Sequence, residues 1–161
     1  MSYKTIIIGY GNTDRADDGV AFSIVNELRD RLGQKKLDDG ETGLDELNSE
    51  NDSVFLSQLV PEIMELLRGY KRIIFVDAHV GSDRGDISCS PLSAQYVFSS
   101  FSHHMTPPTI LAFLETMYQC QPEAHLVSIS GCDFDFKRTL SPKVQALVNP
   151  AVEAILKLTN P

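Results

Sequence analysis

Two carboxylates and a pair of adjacent histidines are the side chains of this sequence best suited to metal or acid–base chemistry. Asp18 ends the stretch Gly9-Tyr10-Gly11-Asn12-Thr13-Asp14-Arg15-Ala16-Asp17-Asp18, between an apolar run and an amphipathic one. Asp77 closes a second apolar run, Ile73-Ile74-Phe75-Val76-Asp77. His103 and His104 follow in a Ser-rich stretch ahead of Pro107. Carboxylate oxygens and imidazole nitrogens suit a borderline transition ion, and three such ligands leave coordination positions open for a substrate. Either carboxylate can also act as general base on a water molecule.

Each residue has a plainer reading. Acids that open a helix also complement its dipole and cap its free N–H groups. One of Asp17 and Asp18 is expected to cap while the other faces a cleft. A helix start also keeps a carboxylate anionic and ready for a cation. Asp77 is harder to explain away, because a carboxylate at the end of a buried strand is costly unless paired, solvated or metal-bound. His79 is read as a lone surface histidine that leaves the cleft. Neighbours in an extended loop point in different directions, so only one of His103 and His104 is expected to reach the site.

These residues need a scaffold that brings them together. Thr5-Ile6-Ile7-Ile8 reads as a buried strand ended by Gly9. Residues 17–32 carry Val20, Ile24, Val25, Leu28 and Leu32 on one helical face, with Gly33 as the stop. Residues 34–52 are acidic and weakly periodic, which predicts a loop with a short strand near 44–47. Ser53-Val54-Phe55-Leu56 predicts another strand. Pro61 starts a helix that continues to Gly69. Arg72 to Val76 is the central-strand candidate, and Ile87 to Ser90 an edge strand. Pro107 or Pro108 opens a helix, and Ala124 to Ser130 is a further strand. Ser141-Pro142 predicts an N-cap and a first helical residue, in a helix kinked at Pro150. Strands alternating with helices predict a three-layer α/β/α fold with a mostly parallel twisted sheet. In such a sheet ligands bind beyond the carboxyl ends of the strands, where Asp18 and Asp77 fall.

Composition narrows the classes. The 161 residues suit one domain, residues 1–161. The formal net charge of -8 opposes binding to nucleic acid or an anionic membrane, both of which need a basic face. No apolar run is long enough to span a bilayer. Met1-Ser2-Tyr3-Lys4 leads into a strand rather than a signal peptide. The three widely spaced cysteines, Cys89, Cys120 and Cys132, suggest reduced thiols in a cytoplasm.

Several chemistries find no motif. Gly9-Tyr10-Gly11 lacks the third glycine of a dinucleotide fingerprint, because Asp14 stands there. There is no phosphate-cradling loop ending in Lys-Ser or Lys-Thr, no nucleophile elbow and no His-Glu-x-x-His.

Taken in order, Gly9-Tyr10-Gly11-Asn12 with Asp17-Asp18-Gly19, Phe75-Val76-Asp77-Ala78, and Ser102-His103-His104-Met105-Thr106-Pro107 resemble the NiFe-hydrogenase maturation proteases. Gln58-Leu59-Val60-Pro61-Glu62 and Leu140-Ser141-Pro142 look closest to the branch serving soluble bidirectional, NAD(P)-linked hydrogenases. The resemblance implies a cytoplasmic endopeptidase that trims the C-terminus of the hydrogenase large-subunit precursor. It implies that nickel is carried by the substrate, with no permanent cofactor in the protease. Carried over residue by residue, the implied metal ligands are Asp18, Asp77 and His103, the last chosen over His104 because Met105 follows two residues later. Asp18 and Asp77 are the implied catalytic carboxylates, with Asp17, Asn12 and His104 as candidates for support. Two other readings stay open: a non-catalytic module recognising a metal or ligand at the same cleft, and a nucleotide-binding Rossmann-type protein.

Overall fold

The computed structural model describes residues 4–97 and 105–160. Among these residues five strands form one sheet in the order β2-β1-β3-β5-β4. They are β1 (Thr5–Tyr10), β2 (Asn51–Leu56), β3 (Arg72–Val80), β4 (Ile87–Pro91) and β5 (Glu123–Gly131). Every pairing is parallel except β4 with β5. The helices are α1 (Val20–Arg31), α2 (Ile63–Leu67), α3 (Pro107–Tyr118), α4 (Pro142–Gln145) and α5 (Val148–Thr159).

Strands buried on both faces carry unbroken apolar runs, and β1 and β3 show why. Ile7, Ile74 and Val76 pack with α1 and α5 on one face. Ile6, Ile8, Ile73 and Phe75 pack with α2 and α3 on the other. Each of these side chains is 1% exposed or less. Burying one such side chain contributes about 1.5–3 kcal/mol, so register slips that expose a face are strongly disfavoured. The α/β/α layering expected from the alternation of elements is the observed fold.

The chain leaves β1 on one side to make β2 and returns on the other to make β3. Their connections lie on opposite faces, which opens a crevice beyond the carboxyl ends of β1 and β3. Both strands run further than their apolar runs suggest. The β1 ladder continues to Tyr10, and β3 continues past Asp77 to Val80 because β5 pairs with it from Arg72–Glu123 through Val80–Gly131.

Two expectations need correction. Residues 44–47 form no strand. Buried Arg29 organises that segment instead, donating to Lys35 O (2.6 Å), Ser53 O (3.1 Å) and Glu46 Oε2 (2.6 Å). The last helix is not kinked at Pro150 but broken before it, between α4 and α5. Pro150 has no N–H to give Ala146 O and its ring crowds that carbonyl, so the helix restarts with Pro150 in its first turn. Ser141 does cap α4, its hydroxyl accepting from Val144 N–H.

Candidate active site

The loop after β1 folds back on itself. A Cβ at Gly11, whose φ is +150°, would lie 2.1 Å from the Asp18 carbonyl oxygen. Only glycine permits that approach. The closure brings Asn12 N–H to Asp18 Oδ2 at 2.8 Å. Ala16 then adopts a left-handed conformation at φ 47°, unusual for a residue with a side chain. Its N–H donates to Lys137 O at 2.7 Å, which holds the turn in place. A single 3-10 turn, Ala16–Gly19, carries both aspartates before α1 begins.

Asp17 and Asp18 point into different surroundings, and neither takes an N–H from the helix that follows. Asp17 is fully buried. Its carboxylate accepts from the backbone N–H of Cys132, Asp133 and Ser141 and from the Ser141 hydroxyl. Burial alone would raise its pKa, but these donors together hold it below the ordinary aspartate value. Asp17 therefore anchors the loop after β5. The expected cap is replaced by a tertiary tie.

Asp18 lines a cleft of about 510 Å³ together with Asp77, Tyr10, Asn12, Gln58 and Met105. The two carboxylates proposed from sequence thus share one cavity. Among the described residues they are not joined by a third His, Cys, Asp or Glu into a metal-binding group. His103 and His104 lie outside the described residues. Met105, which set the choice between them, lines the cleft.

Asp77 is held from both neighbouring strands. Tyr10 O–H donates to its Oδ2 at 2.8 Å, and Ser128 O–H donates to its Oδ1 at 2.5 Å. Burial pushes the Asp77 pKa up, and the two hydroxyls with the charges of His79 and Arg84 offset this only in part. The Tyr10 phenol is pushed up as well, by burial and then by the Asp77 charge. It remains a protonated donor at any ordinary pH.

His79 corrects the surface reading. Its Nδ1 lies 2.7 Å from Ser128 Oγ, and its Nε2 is buried without a hydrogen-bond partner among the described residues. Because β3 continues as a strand, a residue two positions on shares the face of Asp77. Tyr10 and Ser128 were missed for the same reason. Their alternation with Ile6 and Ile8, and with Ala124 and Leu126, was readable, but the register that sets them beside Asp77 was not.

A phosphate site fits this loop poorly. Asn12 N–H, a donor that a phosphate would use, is already taken by Asp18, and two carboxylates face the same space.

The three-layer α/β/α arrangement is the fold of solved hydrogenase maturation endopeptidases. The chain is similar to the hydrogenase maturating endopeptidase HybD from E. coli, with a TM-score of 0.69 and 16% identity over 96% of this chain and 91% of that one. It is similar to the NiFe-hydrogenase maturation protease HybD from Thermococcus kodakarensis, with a TM-score of 0.67 and 19% identity over 98% and 99%. A hydrogenase 2 maturation peptidase from Thaumarchaeota archaeon SCGC_AB-539-E09 gives a TM-score of 0.62 at 19% identity over 98% of each chain. No protein-family model matches the sequence, and no curated protein matches it.

Proposed function

We propose that this protein is an endopeptidase that removes a C-terminal extension from the nickel-loaded precursor of a NiFe-hydrogenase large subunit. The observation that carries the reading is the shared cleft of Asp18 and Asp77, at the switch point of a fold that overlays almost end to end on solved hydrogenase maturation endopeptidases. In this reading the nickel arrives with the substrate and is the recognition element. Asp18, Asp77 and His103 supply ligands from the protease and leave positions for the precursor's own donors. A site completed only by a loaded substrate makes the metal a checkpoint for cutting.

Two routes to hydrolysis fit the cleft. Asp18 or Asp77 takes a proton from water attacking the scissile carbonyl, or the substrate's nickel polarises that carbonyl. Burial raises the Asp77 pKa, which makes its carboxylate a stronger base than an unperturbed aspartate. Assignment to the branch serving soluble bidirectional, NAD(P)-linked hydrogenases rests on the resemblance carried by Gln58-Leu59-Val60-Pro61-Glu62 and Leu140-Ser141-Pro142. A cytoplasmic setting is part of the same reading, in keeping with three free cysteines.

The test is incubation with nickel-loaded and nickel-free precursor, read by intact mass. Loss of the C-terminal extension from the loaded precursor alone is expected. Retention of the loaded precursor at full length in a stable complex would instead identify a non-catalytic recognition module.

A further inference from the structure

The proposed reaction needs the Asp77 carboxylate in one orientation, and a line of hydroxyl and imidazole groups holds it there. Tyr10 ends β1, and Asp77 and Ser128 lie in the carboxyl-terminal halves of β3 and β5. Asp77 and Ser128 are direct partners in the parallel ladder, and Tyr10 follows the Gly9–Val76 pair. One hydroxyl reaches each carboxylate oxygen, from opposite sides of the strand. The plane of the carboxylate is thereby fixed across the sheet, and each oxygen keeps a lone pair for the cleft.

The chain continues one step further. A hydroxyl has a single proton, and Ser128 spends its own on Asp77. Towards His79 the same oxygen can then only accept, so the proton between them belongs to His79 Nδ1. In a histidine with one ring proton Nδ1 is the less common place for it, and here a neighbour rather than solvent puts it there. Ser128 is almost fully buried, so water does not substitute for this partner.

We infer that Tyr10 and Ser128 are positioning residues for Asp77, and that His79, by donating from Nδ1, fixes the direction in which the Ser128 hydroxyl points. The inference deepens the endopeptidase reading and rests on it for its catalytic consequence. Neither hydroxyl is asked to touch substrate. Each acts through the carboxylate, as outer partners do around ligating side chains.

Two measurements test it. The first needs no substrate: two-bond proton–nitrogen correlation spectra of the nitrogen-15-labelled protein report which His79 ring nitrogen carries the proton. The wild type is expected to show a protonated Nδ1, and Ser128→Ala is expected to lose that preference. The second is steady-state cleavage of nickel-loaded precursor by Tyr10→Phe and Ser128→Ala, each shown folded by circular dichroism. A fall in kcat of roughly 10–100-fold with KM little changed is expected, the size seen when outer partners are removed. A purely structural network would lower thermal stability while leaving kcat at the wild-type value. A wild-type His79 whose Nδ1 carries no proton, or wild-type kcat in both folded variants, would overturn the inference. If Ser128→Ala does not fold, Tyr10→Phe alone decides the kinetic half. A wild-type protein that does not cut the loaded precursor would instead sink the endopeptidase reading, and the spectra would still decide the hydrogen-bond chain.

Discussion

The Asp17 carboxylate accepts both the backbone N–H and the hydroxyl of Ser141, at 2.8 and 2.9 Å, across 124 residues of chain. With Cys132 N–H and Asp133 N–H it ties the loop after β5 to the turn that presents Asp18. The pKa of Asp17 is lowered in the fold, so its contribution to stability is present above the ordinary aspartate value of 3.8 and is lost as pH falls through the folded value. Asp17→Asn keeps the shape but turns an amide NH₂ towards buried N–H donors. We expect a loss of about 1–3 kcal/mol at pH 7, shrinking towards pH 3. Urea denaturation at both pH values measures it, and an unchanged midpoint at pH 7 would refute the anchoring role.

Asp77 should behave in the opposite sense. Its folded pKa is raised, so stability linked to it is fully present below the ordinary value and lost as pH rises through the folded one. Ionising this buried carboxyl is therefore a burden on the fold that function retains. Asp77→Asn should hold stability or raise it slightly, whereas Asp77→Ala also strips the buried Tyr10 and Ser128 hydroxyls of their acceptor and should cost about 1–3 kcal/mol. Processing should fall by at least ~100-fold, the scale of losing a general base. Near-normal cleavage of loaded precursor by folded Asp77→Ala would remove this residue from the mechanism.

Gly11→Ala tests the loop closure. The added carbon would collide with the Asp18 carbonyl oxygen, backbone that cannot swing aside as a side chain would. We expect a cost of about 1–3 kcal/mol, typical of forced overpacking, together with impaired cleavage as Asp18 is displaced. A variant with wild-type melting temperature and wild-type cleavage would show that the closed loop is not needed.

The histidine assignment makes a paired prediction. His103→Ala, which removes a ligand, should reduce processing by more than the roughly 10–100-fold typical of losing a ligand's outer partner, and His104→Ala should have the smaller effect. The comparison is made on the same nickel-loaded precursor. The reverse order would transfer the ligand role to His104.

The sequence alone determined the layers of this protein. Runs such as Ile6-Ile7-Ile8 and Ile73-Ile74-Phe75-Val76 are apolar on both faces, which a parallel sheet covered by helices satisfies and few other folds do. It also marked Asp18 and Asp77, because a loop rich in glycine and an acid terminating an apolar run are local signals, although β3 continues past Asp77 to Val80. Tertiary structure decided the rest. Asp17 and Asp18 are the same residue type at adjacent positions. Only the approach of Cys132, Asp133 and Ser141 makes one an anchor and leaves the other facing the cleft. Likewise Tyr10, Ser128 and His79 carry no local mark of partnership with Asp77. They meet because strand register across three neighbouring strands sets side chains of distant segments a few ångströms apart, and register is fixed by the packing of both faces rather than by any one segment.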